Sequence, residues 1–326
     1  MKSVVVDKIA SVAQHNNLAS ELRLSKDIPC EEGVLVAVEV LNSKSRYNQL
    51  ELTSGRMATV NQGDVIVGAL GHRKALRGYS GHLPTSLKPG DTIQVLNIGG
   101  VLGICDSANP DVGAPFNCKV LGTVLSFPYL GERIGVPARA GASTLADAPP
   151  IDMHGVPVVA LAGTCMDSGK TAAACAIVSR LRHLGLTVAA CKATGVSLRR
   201  DVLAMEDAGA SESAIFSDFG IVTTTADNGP QLTRALLTGL ASKKPDVIIL
   251  ELGDGLLGAY GVGAILSDEE IRDALTVVAL CANDCDDLDP DVNPGADELC
   301  STDYDDDCDG VVNEDEAVDV TTWYRD

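Results

Sequence analysis

The run Gly163-Thr164-Cys165-Met166-Asp167-Ser168-Gly169-Lys170-Thr171 puts glycines, a lysine and a hydroxyl at a spacing suited to phosphate. Backbone N–H groups of such a turn, with the N-terminus of the helix it opens, point at phosphate oxygens. Lys170 neutralises the β/γ charge and the Thr171 hydroxyl reaches a Mg²⁺ ion. On this reading Gly163, Thr164, Ser168, Gly169, Lys170 and Thr171 hold ATP or GTP. The strict spacing G-x-x-x-x-G-K-[ST] is missed by one position: Thr164 stands where the first glycine would be, and Gly163 precedes it. The bland alternative is a glycine turn feeding a helix, with Lys170 solvated.

This nine-residue form resembles the loop of the dethiobiotin synthetase-like branch of P-loop proteins, which begins Gly-Thr and ends Gly-Lys-Thr. Cys191-Lys192-Ala193-Thr194-Gly195 is similar to that branch's KPxxTG turn, with Ala193 in place of the proline. Asp201 looks like its Mg²⁺-contacting aspartate. Glu251, in PDVIILELGDG, looks like its acidic Mg²⁺ ligand ahead of glycines. The resemblance covers residues 156 to about 283. It implies Mg²⁺ held by Thr171, Asp201 and Glu251, catalytic roles for Lys170 and Lys192, and an ATP-dependent ligase-like or phosphoryl-transfer reaction that activates a small carboxylate substrate. Taken singly, Asp201 also suits a helix cap, Glu251 the mouth of a buried strand, and Lys192 an exposed position; Asp254 is a second candidate for the metal role.

The elements that would position these residues follow from patterning. From Val156 the chain alternates apolar strand, glycine turn and helical stretch, with later strands at 246 to 252 and 275 to 281, which implies a parallel, doubly wound α/β sheet. A helix beginning near Lys170 has Ala174, Ile177, Val178 and Leu181 at three- and four-residue spacing, with Gly185 as its stop. Residues 1–135 offer short β-rich runs between turn signals, the pattern of a small barrel or sandwich. Residues 136–155, rich in Pro, Ala and Gly, read as a linker, and 156–283 as the nucleotide-binding domain, which looks cut short where the pattern breaks at Asn283. The loop from His72 to His82, with Arg73, Lys74 and Arg77, either adds cations to a substrate site or is a solvated surface loop.

Residues 284–326 have a different grammar. They hold 17 of the 45 acidic residues and one of the 25 basic ones, a charge of 1 − 17 = −16, leaving 24 − 28 = −4 for residues 1–283. Asp305, Asp307, Asp309, the carbonyl of Val311 and Glu316 fit the calcium-loop pattern D-x-[DN]-x-[DN]-G-x₅-E, with Gly310 at the sharp turn. The stretch from Asp284 to Gly310 also resembles the MopE-type metal-binding repeats of secreted bacterial proteins. A cation-binding disordered tail is the alternative.

The nearly neutral body has no basic field to attract nucleic acid, and no run approaches the roughly 18 apolar residues that span a bilayer. With no apolar leader at the N-terminus and seven scattered cysteines, it reads as cytoplasmic, whereas Cys285, Cys300 and Cys308 suit an oxidising compartment. The partners expected are a nucleotide and a small substrate, and a homo-oligomer stays open. Two competing readings are a calcium-stabilised exported protein and a nucleotide-binding regulatory module with little turnover. A third is a chimeric, truncated chain joined near residue 283.

Overall fold

The computed structural model describes residues 2–75, 78–129, 131, 133–143, 145 and 150–282. The expected calcium residues Asp305, Asp307, Asp309, Val311 and Glu316 lie outside the described residues, as do Leu76 and Arg77 of the basic loop.

The β-rich runs of the first part form β1 (Lys2–Val5), β2 (Lys8–Ile9), β3 (Glu21–Ser25), β4 (Leu35–Val40), β5 (Gln49–Glu51), β6 (Met57–Thr59), β7 (Val65–Leu70), β8 (Tyr79–His82), β9 (Thr92–Val95), β10 (Val101–Ala108), β11 (Asn117–Ser126) and β12 (Val136–Pro137). Pairing runs from β11 to β4, to β7, to β10, to β9 and back to β11, so the ladder closes on itself. Closure leaves these strands no free edge. The long β11 makes it possible by bending: its register with β4 shifts between Val120 and Gly122. Gly122 has φ 150°, and a Cβ there would lie 2.4 Å from the Ser25 carbonyl, so only glycine fits this bulge. Leu35, Val36, Ala37 and Val38 are all fully buried, so β4 is covered on both faces.

The stretch expected as a linker packs on both units. β12 pairs with β11, and Ala138 and Ala140 join the N-terminal core. Ile151 and Met153 pack on the second core. The alternation of Val136, Ala138 and Ala140 is a strand period that small side chains disguise in the sequence.

The second unit runs β13 (Val158–Gly163), α1 (Lys170–His183), β14 (Val188–Lys192), α2 (Arg200–Asp207), β15 (Glu212–Ile215), α3 (Gly229–Ala241), β16 (Val247–Glu251), α4 (Val262–Ser267), α5 (Glu269–Ala274) and β17 (Val277–Cys281). Its five strands are ordered β15-β14-β16-β13-β17 and every pair is parallel. Successive residues of β16 serve opposite faces, which is why the run is continuously apolar. Val247 and Ile249 pack with Ala174, Val178 and Met205 of α1 and α2, while Ile248 and Leu250 pack with Leu232, Leu236 and Ile265 of α3 and α4. The chain is thus a mixed α/β protein with several sheets. No helix among the described residues is long and apolar enough to cross a membrane.

Polar contacts fix the two units against each other. Asn97 donates to the Ser197 carbonyl at 2.9 Å, and Glu32 accepts from the backbone N–H groups of Val222 and Thr223 at 3.0 and 2.7 Å. The buried Glu51 accepts from the Arg199 backbone N–H at 2.9 Å, at the start of α2. Burial pushes the Glu51 carboxyl above the usual carboxylate range, and the backbone N–H and guanidinium of Arg199 only partly offset this.

Candidate functional site

The turn between β13 and α1 lies at the C-terminal ends of the parallel strands, where the helices leave the sheet on both faces and open a crevice. Gly169 has φ 83° and Asp167 φ 65°, left-handed positions that fold the turn back over the start of α1. Gly163 ends β13 under that turn. A Cβ there would lie 2.4 Å from Ser168 Oγ, 2.7 Å from Lys170 Nζ and 3.0 Å from the Cys281 carbonyl. A side chain at position 163 would therefore push the Ser168 hydroxyl and the Lys170 ammonium from their places. Gly163→Ala is expected to displace the lysine and weaken nucleotide binding by about tenfold or more, through overpacking of roughly 1–3 kcal/mol. Titration with a fluorescent nucleotide beside a melting curve checks this; unchanged affinity in a folded variant would refute it.

Lys170 is buried and donates to the Cys165 carbonyl at 2.5 Å and to Ser168 Oγ at 3.0 Å. Burial pulls its ammonium below the ordinary lysine pKa; Glu251 opposes this and Lys192 adds to it. Thr171, one residue into α1, donates from Oγ1 to Glu251 Oε1 at 3.2 Å.

Lys192 and Glu251 are register partners across β14 and β16, so both reach the same end of the sheet. Lys192 Nζ donates to Glu251 Oε1 at 3.1 Å and also to Asp201 Oδ2. Burial alone would lower the Lys192 pKa, but Glu251 and Asp201 together hold it above the ordinary lysine value. Glu251 is 1% exposed, and its Oε2 has no hydrogen-bond partner. Burial raises the nearby Asp254 carboxyl, with the Gly255 N–H, Lys170 and Lys192 offsetting it.

The structure thus brings Lys170, Thr171, Lys192, Asp201 and Glu251 to one cavity of about 640 Å³, with Gly169 also in its wall. Thr164 borders a neighbouring pocket, and Ser168 Oγ accepts from Lys170. Among the described residues no group of three His, Cys, Asp or Glu side chains is arranged to hold a metal ion. Ala193, where the related turn has proline, donates its N–H to the Glu251 carbonyl at 3.1 Å, a bond proline could not make. Sequence reasoning missed Tyr47, Asn97, Ile98 and Tyr260 in the cavity wall. No local signal marks them, because three of the four come from loops of the N-terminal unit, far off in sequence.

Fold and site together define an α/β protein with a glycine-rich turn after β13 and a lysine, Lys192, shared by Glu251 at the end of β16 and Asp201 at the start of α2. Residues 284–314 match the MopE copper-binding family model, described as "Putative metal-binding motif". The match stops short of Glu316. No curated protein matches this chain. Among solved structures, the signal recognition particle receptor FtsY from Elizabethkingia anophelis is similar at 17% identity and TM-score 0.32. The same receptor in complex with GDP is similar at 15% and 0.29. Each match covers 42% of this chain and 44% of the receptor chain. The chain thus spans less than half the length of these structures, and likeness this slight carries no inference.

Proposed function

We propose that residues 156–283 bind a Mg-nucleotide and act as an ATP- or GTP-dependent ligase-like domain of the dethiobiotin synthetase-like branch, activating a small carboxylate substrate. The observation that carries the reading is the convergence of Lys170, Thr171, Lys192 and Glu251 around the turn at Gly163. The phosphates would lie along the turn, with backbone N–H groups and Lys170 meeting their charge. Magnesium fits as a companion of the phosphates. The unpartnered Glu251 Oε2, the Thr171 hydroxyl and Asp201 supply oxygen donors, but too few to hold the ion alone. When bound, the ion would neutralise charge on the transferring phosphoryl group.

Lys192 shares Glu251 and Asp201 and would lie beside the reacting oxygens, where a fixed positive charge stabilises the developing negative charge. The carboxylate oxygen attacks the γ-phosphorus, the bond to the bridging oxygen of the β-phosphate breaks, and an acyl phosphate and nucleoside diphosphate form. A bound nucleophile then displaces phosphate. Hydroxylamine trapping with a panel of carboxylic acids tests this: a carboxylate-dependent hydroxamate, absent in Lys170→Ala, is expected. Nucleoside diphosphate formed with no hydroxamate from any acid would contradict the ligase reading and favour a hydrolysing regulatory module.

For residues 284–316 we propose a calcium site. The donors at Asp305, Asp307, Asp309, Val311 and Glu316 are all oxygens, which suit calcium better than copper. Titration calorimetry of the full chain should show calcium binding that weakens in Asp307→Asn and Asp309→Asn, with nucleotide affinity unchanged. Preferential copper binding, through Cys285, Cys300 or Cys308, would count against it.

A further inference from the structure

The cavity that takes in the phosphate turn has a second wall, supplied by the N-terminal unit: Tyr47, Arg73, Asn97 and Ile98. Arg73 is its cation. Its Nη1 donates to the Tyr47 hydroxyl at 3.0 Å and to the Leu96 carbonyl, and the guanidinium lies 5.8 Å from the centre of the Tyr47 ring. No carboxylate pairs with Arg73 among the described residues, although the chain as a whole carries 45 acidic residues against 25 basic ones. A guanidinium has five N–H donors in a planar fork, and among the described residues the bonds from Arg73's side chain use only one nitrogen.

The segment carrying Arg73 is held in place from several sides. Arg73 exchanges backbone hydrogen bonds with Gly81 at 2.9 and 2.8 Å. The next residue, Lys74, donates its N–H to the Tyr260 hydroxyl at 2.9 Å, and that hydroxyl donates in turn to the Lys74 carbonyl. The preceding residue, His72, offers its carbonyl to Thr223 Oγ1 at 2.6 Å. Tyr260 and Thr223 both belong to the nucleotide-binding unit, so Arg73 is fixed relative to Lys170 and Lys192. A long cation held at this cost in conformational freedom, without a counter-ion, is preorganised for an anion that arrives from outside.

We infer that Arg73, with the Tyr47 hydroxyl beside it, receives an oxyanion group of the second substrate, a carboxylate or phosphate that does not itself react. The substrate is then a small molecule with at least two polar ends, one on Arg73 and one facing Lys170 and Lys192. This rests on the nucleotide reading for the identity of the reacting end, but the anion site stands on its own geometry.

Equilibrium dialysis of the full chain tests it. Labelled succinate is used in one arm and labelled inorganic phosphate in another, each with and without saturating Mg-AMPPNP. Wild-type protein is expected to retain one of the two anions at millimolar concentration. Arg73→Gln should weaken that retention by roughly tenfold or more, as loss of a charge-assisted hydrogen-bonding partner does, while AMPPNP affinity stays unchanged. Arg73→Lys, which keeps the charge without the fork, should fall between, and melting curves establish that both variants fold. The arm that retains label separates carboxylate from phosphate. Equal retention by wild type and Arg73→Gln, or retention of neither anion by wild type, overturns the proposal. Loss of AMPPNP affinity in Arg73→Gln also overturns it, by assigning Arg73 to the nucleotide. Failure of wild type to bind AMPPNP, with anion retention intact, would sink the nucleotide reading alone.

Discussion

Replacing Lys192 by methionine is expected to cost about 3 kcal/mol of stability, the low end of what breaking a buried ion pair costs, because it leaves two carboxylates facing each other without a cation. The side chain of Glu251 is 2% exposed and those of Lys192 and Asp201 are 13% and 14% exposed, so water can do little to screen the repulsion. Methionine keeps the length of the side chain and isolates the charge as the cause. A urea titration, monitored at the second unit, reads the loss as a lower midpoint at unchanged slope. Millimolar Mg²⁺ is expected to restore part of it, since a divalent ion can take the place of the ammonium between Asp201 and Glu251. Wild type should gain little from Mg²⁺ alone. The sign with pH follows from the raised pKa of Lys192: the stabilisation is complete below the unfolded lysine value near 10.4 and is lost only as pH rises through the higher folded value. Between pH 6 and 9 the wild-type protein should therefore show no stability change from this group. A variant as stable as wild type, or one indifferent to Mg²⁺, would show that the three side chains are not electrostatically coupled.

The glycine-rich turn between β13 and α1 was legible in the sequence because its requirements are local. A buried strand, a close-packed glycine, two left-handed positions and a helix start follow one another within a dozen residues. The apolar run at 246 to 252 and the helix from Lys170 were legible for the same reason, and they appear as β16 and α1. The segment 136–155 was harder to read, since Val136, Ala138 and Ala140 bury too little side chain to announce a strand, yet they pack against β11 and the N-terminal core. The closed β ladder was legible only as a choice between barrel and sandwich. Which strands close it depends on a bulge at Gly122 and on pairings between residues far apart in the chain. Loops between the strands of that unit carry Tyr47, Asn97 and Arg73 to the cavity shared with Lys170. Arg73 was visible as one cation in a basic loop, but nothing nearby indicated that Tyr260 and Thr223 would hold the loop against the second unit. The departure at Ala193 had no visible reason in the sequence either. The structure supplies one in the bond from its N–H to Glu251, which a proline would remove.

Lys170→Ala is the variant on which the nucleotide reading depends. The ammonium is buried at the start of α1, and its donors are directed at a carbonyl and a hydroxyl of the turn itself. Phosphate oxygens are stronger acceptors for the same donors, and without the lysine the turn itself would offer them only backbone N–H groups. Losing charge-assisted bonds worth about 1.5–3 kcal/mol each is expected to weaken Mg-ATP or Mg-GTP by roughly a hundredfold. Little effect on folding is expected, because alanine is a good helix former and the removed charge has no buried carboxylate as sole partner. The most direct measurement is a titration of the full chain with fluorescent ATP and GTP analogues in Mg²⁺, wild type beside Lys170→Ala. Saturable binding by wild type, lost in a folded variant, is the result predicted. Binding that survives the substitution, or no binding by either protein, would contradict a nucleotide site at Gly163 to Thr171.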